Sequence, residues 1–191
     1  MFSMLKRAPL ALAPLLLMAA PSAGAADLDI NVNDDAARLT YAWQVPERKL
    51  QFDAGWLHHQ DRGDVGHLGL HLVDLASGGR NPLRGGLGGK IFYTNSDLVD
   101  ESGFVVGLGG FLAYTLPTYN RFSVSGHLYF APDVLAFSGA DGYQEFEARL
   151  SYNVLREADI YLGARYSKAD FDDRGDPLID NGLHVGIQLR F

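Results

Sequence analysis

Paired histidines are the residues of this chain that most invite a chemical role, because the chain contains six histidines and no cysteine. His67 and His71 resemble a metal-binding pair, since imidazole is a common metal ligand. On a β-strand, however, residues four apart are separated by about 13 Å. No clear cluster of carboxylates and histidines accompanies the pair. The pattern favours buried histidines that are hydrogen-bonded inside the fold, and we expect neither a metal site nor a cofactor.

A serine and a histidine suggest a second chemistry, the acyl transfer that some outer-membrane enzymes perform. Ser125 and His127 would share one face of a strand, about 7 Å apart. A nucleophile needs its base within hydrogen-bond reach, and this spacing does not provide it. The glycine-rich segment Leu83–Lys90 lacks the G-x-x-x-x-G-K-[ST] pattern of a phosphate-binding loop. We therefore expect no catalytic site, and a lipid-modifying enzyme stays open as an alternative.

Length and charge narrow the class of protein. The chain has 191 residues, with 16 basic residues against 23 acidic ones. This length fits one domain. Nucleic-acid binding requires a basic stripe, so we expect no nucleic-acid partner. Hydrophobic residues make up 47% of the chain, which excludes a disordered protein.

The first 25 residues have the three parts of a secretory signal peptide. Lys6 and Arg7 precede an apolar run from Ala8 to Ala20, and Ala23-Gly24-Ala25 fits a cleavage site. The apolar run is shorter than the roughly 20 residues of a membrane-spanning helix. The predicted division is a signal peptide at 1–25 and one exported domain at 26–191. Any membrane span in that domain must consist of strands.

The exported domain alternates between apolar and polar residues with a period of two. Ten segments show this pattern, from Leu28–Asn33 to Leu183–Phe191, and no segment of ten or more residues has a convincing helical period. Short connections alternate with longer, mostly acidic ones, as in a barrel whose loops project at one end. The predicted longer connections are His59–Gly63, Asn95–Ser102, Ala131–Gly142 and Lys168–Asn181. The sequence predicts an all-β fold of about ten strands, or eight if Leu28–Asn33 and one other segment do not span.

Three features favour a membrane barrel over a soluble β-barrel or sandwich in the periplasm. Phe104–Tyr114 and Gly142–Val154 are 11 and 13 residues long, whereas soluble strands have about 5–6. Aromatic residues lie near both ends of the apolar faces, as in membrane barrels. The opposite faces carry acids and bases in nearly equal number, which suits a closed polar lumen. We therefore predict a small antiparallel transmembrane β-barrel with both termini at the periplasmic end.

The inward-facing charges are the candidate site. An interior formed by about eight strands is narrow enough for side chains to fill it, and charges crowded there must pair because an unpaired buried ion costs several kcal/mol. We expect a lumen charge network that plugs the barrel, formed by Arg38, Asp53, Lys90, Glu145, Glu147, Arg149, Arg165 and Arg190.

Several sequence blocks resemble the YfaZ family of proteobacterial outer-membrane proteins. They cover nearly all of the exported domain and include Leu28–Asp35, Gly69–Asp74, Asn120–Tyr129, Ala131–Leu135 and Tyr152–Asp159. The chain also ends on Leu189-Arg190-Phe191, which is similar to the C-terminal aromatic signal read by the barrel assembly machinery. The resemblance implies an outer-membrane location and a barrel fold, and no established activity.

The sequence therefore predicts an outer-membrane barrel of unassigned activity that is structural or a narrow, largely plugged channel. Alternatives are a lipid-modifying enzyme or a surface recognition protein that acts through its acidic loops. The expected partners are outer-membrane lipids and lipopolysaccharide, with periplasmic chaperones and the barrel assembly machinery during biogenesis. We expect a monomer, with Phe191 as the assembly signal.

Overall fold

The computed structural model describes residues 25–75, 83–171 and 177–191. Apart from Ala25, the predicted signal peptide lies outside the described residues. The strands are β1 (Ala26–Val32), β2 (Ala36–Val45), β3 (Leu50–His59), β4 (Gly63–Leu75), β5 (Leu83–Ser96), β6 (Glu101–Thr115), β7 (Phe122–Ala131), β8 (Ala136–Phe137), β9 (Ala140–Leu155), β10 (Ala158–Phe171) and β11 (Leu178–Arg190). Short 3₁₀ helices occupy Pro46–Arg48 and Asp133–Leu135.

Ten of these strands form a closed antiparallel ring. The order around the sheet is β5-β4-β3-β2-β1-β11-β10-β9-β7-β6, and pairing of β5 with β6 closes it. Each strand therefore lies next to its neighbours in sequence, and β1 joins β11 through six residue pairs from Asp27↔Arg190 to Val32↔Val185. The two-residue β8 pairs only with β6 in the described sheet. The predicted ten-stranded antiparallel barrel is confirmed, including the segment at Leu28–Asn33.

The strands run further than the alternation predicted, so several connections are shorter than expected. β3 and β4 are joined by residues 60–62, and β5 and β6 by residues 97–100. The connection after β7 holds a 3₁₀ helix and β8 rather than a free loop. Beyond the hydrocarbon layer both faces of a strand can be polar, so the alternation fades while the backbone pairing continues. The predicted loop boundaries at this end were therefore wrong.

The outer surface carries an apolar band between two aromatic rims. On β6, Phe104, Leu108, Leu112 and Tyr114 are all exposed. The ten residue steps from Phe104 to Tyr114 span about 33 Å of strand. A tilt of about 40° projects this length onto about 25 Å, the height of a lipid-facing band. Aromatic pairs mark the terminal rim (Trp43 with Phe52, Phe122 with Tyr152) and the loop rim (Trp56 with Tyr93, Tyr93 with Phe104).

The described residues contain no helix that is both long enough and apolar enough to span a membrane.

Candidate functional site

Alternation along the strands sends one residue in two into the lumen, where charged and polar side chains accumulate. Asp53, Glu145, Glu147 and Arg165 are all at least 93% buried. Since outward neighbours such as Phe52, Phe146 and Ala164 are apolar, the same two-residue period that places the lipid band also fixes which charges face inward.

Glu145 and Glu147 on β9 lie at the centre of the network. Arg38 on β2 crosses the lumen and donates hydrogen bonds to Glu145 at 3.0 Å and to Glu147 at 3.4 Å. Arg149 Nε donates to Glu147 as well, and Arg149 Nη1 donates to Asp29 Oδ2 at 2.6 Å. These contacts tie β1, β2 and β9 together through the interior of the barrel.

Arg165 on β10 extends the network toward β11. Its Nη2 lies 2.5 Å from Asp180 Oδ2, and its Nη1 donates to Asn31 Oδ1 at 2.8 Å. The same guanidinium lies 4.0 Å from Glu147, and His184 Nε2 lies 3.5 Å from that carboxylate. Glu147 is therefore surrounded by arginine and histidine side chains from several strands.

Asp53 on β3 is the centre of a second cluster. Its carboxylate lies 3.3 Å from Lys90 Nζ, 3.2 Å from His67 Nε2 and 2.9 Å from His71 Nδ1. The strand register explains this arrangement, because Asp53 pairs with Gly69, midway between the two histidines. The rise of about 13 Å between His67 and His71 therefore does not keep their rings from sharing one carboxylate. Sequence reasoning missed this convergence because it depends on the neighbouring strand.

Glycines on adjacent strands leave room in the lumen for these large inward-facing side chains. A Cβ at Gly69 would lie 2.6 Å from Asp53 Oδ1, closer than any real contact. The same relation holds across the β10–β11 pair, where Gly163 lies beneath His184. A large inward side chain thus lies over a glycine of the adjacent strand, which agrees with the expectation that barrel glycines allow close approach.

Tyr129 joins the two clusters. Its hydroxyl lies 2.8 Å from His71 Nε2, and Lys90 Nζ lies 4.5 Å from the centre of its ring. The His127 ring lies tilted beside the Tyr129 ring, with centroids 5.6 Å apart, and its Nε2 lies 2.7 Å from Glu145 Oε1. Seven of the eight predicted network residues are therefore brought together, and the histidines and Tyr129 were additional members that charge counting alone did not include.

Arg190 is the predicted member that lies apart. Its Nη2 donates to Asp159 at 2.8 Å, and 42% of its side chain is exposed. It belongs to the rim at the terminal end, where Asn153 Nδ2 also donates to Asp159 at 2.6 Å. The sequence predicted the correct face of β11 for Arg190 but did not predict its position along the barrel axis.

An apolar cluster fills the interior at the loop end, and we call it the seal. Phe92 and Tyr143 are its centre, with ring centroids 4.4 Å apart. Phe92 is fully buried and Tyr143 nearly so. The seal comprises Ala36, Leu57, Val65, Phe92, Val105, Tyr129, Ala131, Ala140, Tyr143, Ala169, Phe171 and Ile179.

Sequence reasoning missed the seal, although a signal for it exists. Leu57 and Val65 are apolar residues in the phase that otherwise carries polar lumen residues such as Asp53 and His67, and each lies near the loop end of its strand. A single apolar residue in the polar phase of one strand does not by itself indicate an apolar cluster. Only the closed ring brings the residues into contact.

A cavity of about 180 Å³ lies on the other side of the charged layer. Arg38, Lys90, His127 and Glu147 line its inner part, and its wall continues along residues of the terminal end such as Gln51. The seal lies at the loop end, and lining residues of the cavity such as Asp27 and Gln188 lie toward the end with the chain termini.

Ser125 and His127 both line this cavity. His127 Nε2 contacts the Glu145 carboxylate, and among the described residues no hydrogen bond joins Ser125 to His127. The described residues include no group of three or more histidines, cysteines or carboxylates that could hold a metal ion.

Phe191 ends the chain beside the start of β1. Its N–H donates to the carbonyl of Ala26 at 2.8 Å, and the Ala26 N–H donates to the Phe191 carbonyl at 3.2 Å. Its side chain is 68% exposed. The terminal aromatic residue therefore lies at the seam where the ring closes.

Comparison with known proteins gives a family match over almost the whole chain. The profile of the YfaZ family, described as "YfaZ precursor", matches residues 5–191. "Outer membrane protein YfaZ" of Escherichia coli (strain K12) is 32% identical over 181 residues, which cover 94% of this chain and 96% of that protein.

Solved structures with a similar fold are more distant. "KdgM porin" is 12% identical, with a TM-score of 0.47 over 87% of this chain and 99% of that chain. "Bacterial polysaccharide outer membrane secretin" is 13% identical, with a TM-score of 0.42 over 82% of this chain and 55% of that one.

Proposed function

Because this chain belongs to the YfaZ family and is an outer-membrane β-barrel protein, we propose that it is a structural barrel with a sealed lumen rather than an open porin. The observation that carries the proposal is the filled interior, with a layer of ion pairs backed by the apolar seal. A small ring leaves little space beyond its own side chains, whereas water-filled porins have about 16 strands.

The two layers close the lumen by different physical means. An ion that crossed the charged layer would have to displace buried pairs such as Arg38–Glu145, which leaves a charge uncompensated at a cost of several kcal/mol. In the seal, it would have to pass among Phe92, Tyr143 and Phe171, where no water replaces its hydration shell. Any ion conductance that remains is therefore small.

A lipid-modifying enzyme is not favoured. Ser125 and His127 line the internal cavity rather than the lipid-facing surface, so an acyl chain in the membrane would not meet them. We propose that the protein has no catalytic activity.

The outer surface supports a proposal about partners. The exposed band of Leu, Val, Ile and Phe side chains matches the acyl chains of outer-membrane lipids and lipopolysaccharide.

The ring is closed within one chain, so no strand edge requires a second copy, and we propose a monomer. During biogenesis, Phe191 would be recognised by the barrel assembly machinery after delivery by periplasmic chaperones.

Solute permeability of proteoliposomes tests the proposal. Vesicles that contain the purified wild-type protein should lose small sugars and salts no faster than protein-free vesicles do. The matched variant is Phe92→Ala with Tyr143→Ala, which removes the centre of the seal and should raise the permeability. Rapid loss of small sugars through the wild-type protein would refute a sealed lumen.

A further inference from the structure

The cavity carries two charges that form no close ion pair with the lumen network. Its lining includes the acids Asp27, Asp29, Asp53 and Glu147 and the bases Arg38, Arg84, Lys90 and Arg149. Asp29, Asp53 and Glu147 each lie within 4 Å of a basic group. In the described part of the chain, Asp27 and Arg84 alone among these eight have no oppositely charged group within that distance.

Each of the two is held by a neutral amide instead. Gln44 Nε2 donates to Asp27 Oδ2 at 3.2 Å, and Arg84 Nη2 donates to Gln51 Oε1 at 2.6 Å. The Arg84 guanidinium also lies 5.3 Å from the centre of the Phe111 ring. Amide and ring contacts fix the orientation of these groups, and the two charges attract each other only at longer range than an ion pair. A guanidinium has five N–H donors, so Arg84 keeps donors available.

The two groups lie on different walls of the cavity. Asp27 is on β1 and Arg84 on β5, with three strands between them in the ring. The space of about 180 Å³ between the walls corresponds to roughly six water molecules, or to an organic molecule with a similar number of non-hydrogen atoms. The hydroxyls of Thr40 and Ser125 and the amide of Gln188 complete a polar lining.

We propose that this cavity binds a small zwitterion of the α-amino acid class. The ammonium group binds Asp27, and the carboxylate binds Arg84, whose planar fork of donors suits a bidentate carboxylate. A simple anion would satisfy Arg84 and leave Asp27 unpaired, and a simple cation would do the reverse. The ligand enters from the end with the chain termini, because the seal closes the other end.

Calorimetric titration of the detergent-solubilised full-length protein with three molecules of matched size tests this site. The probes are L-alanine, L-lactate, which lacks the ammonium group, and L-alaninamide, which lacks the carboxylate. L-Alanine should bind, and the other two should bind at least about tenfold more weakly, since each loses one charge-assisted contact.

The matching variants are Arg84→Gln and Asp27→Asn, each of which should weaken L-alanine binding by about tenfold or more. Arg121→Gln is the control, because Arg121 is exposed and contacts Tyr152 outside the lumen. If either lumen variant fails to fold, the three probes on the wild-type protein still decide. Equal binding of L-lactate and L-alanine, or no binding of L-alanine, would overturn the proposal. Neither result depends on whether the lumen conducts.

Discussion

Glu147 shows at the scale of one residue how a narrow barrel tolerates buried charge. It has no exposed surface, and Arg38, Arg149, Arg165 and His184 all lie within 4.0 Å of its carboxylate. Removing a single negative charge here would leave several cations facing one another. A buried pair contributes little relative to apolar packing, but a half-removed pair is costly.

Glu147→Gln should therefore lower the free energy of unfolding by about 3–5 kcal/mol. Denaturant titration of the protein in detergent or lipid vesicles, followed by tryptophan fluorescence, measures the loss. The control is Asp74→Asn, the same chemical change in the Lys49–Asp74 pair, whose side chains are 69% and 74% exposed. That control should cost less than about 1 kcal/mol. Equal effects of the two substitutions would contradict a tightly coupled network.

Gly69 tests the packing around Asp53 in the same way. Gly69→Ala places a methyl group against the carboxylate that holds His67, His71 and Lys90. Overpacking of this kind costs about 1–3 kcal/mol. In Gly85→Ala, the added methyl group would meet only the end of the Leu112 side chain at 3.2 Å, and stability should hardly change in the same titration. A tolerated Gly69→Ala would mean that Asp53 moves freely.

At the scale of the strand, β11 closes the ring and carries the terminal aromatic residue. Its pairing with β1 ends in the reciprocal backbone bonds between Ala26 and Phe191. Deletion of Phe191 should reduce insertion into the outer membrane, because both the seam contacts and the proposed assembly signal are lost. The fraction of protein with heat-modifiable gel mobility in outer-membrane preparations measures insertion. Phe191→Tyr, which keeps an aromatic terminus, should insert normally, and unchanged insertion of the deletion variant would exclude a role in assembly.

The strands were largely predictable because lipid imposes one rule on them. Wherever a strand crosses hydrocarbon, outward residues must be apolar, so the segments around Leu108, Leu150 and Leu162 could be identified from alternation alone. The rule does not apply outside the membrane, which is why the ends of β3, β5 and β10 were placed too early. It also does not specify how inward residues meet across strands.

The site was predictable as a list of inward charges but not as a set of contacts. Arg38 and Glu145 are distant in sequence, and their pairing follows from the closure of the ring. Asp53 meets two histidines because of the β3–β4 register, which a single strand does not reveal. The seal required both closure and the loop-end position of residues such as Leu57 and Phe92.

At the scale of the whole molecule, strand order places the termini at one end with the described connections 46–49, 116–121 and 156–157. The described connections 33–35, 60–62, 97–100 and 132–139 lie at the other end. Residues 60–62 belong to the loop end and residues 116–121 to the terminal end. Because the chain has no cysteine, one introduced thiol reports one position. Gly175, in one of the predicted outward loops, lies outside the described residues, so Asp61 is the better position.

Asp61→Cys should be labelled on intact cells by a membrane-impermeant thiol reagent, whereas Thr118→Cys should be labelled only after the outer membrane is permeabilised. Both positions are exposed, so accessibility of the side chain itself does not limit either reaction. Labelling of Thr118→Cys but not Asp61→Cys on intact cells would invert the orientation.

The central claim is that the lumen is closed by two layers, an ion-pair network and an apolar seal. Planar-bilayer conductance of the purified wild-type protein tests it most directly, with Phe92→Ala/Tyr143→Ala/Glu145→Ala/Glu147→Ala as the variant that removes the centres of both layers. The wild-type protein should show little or no steady current, and the variant, once its folding is verified by gel mobility, should show discrete openings. A large, stable, salt-proportional conductance of porin size from the wild-type protein would contradict the sealed barrel.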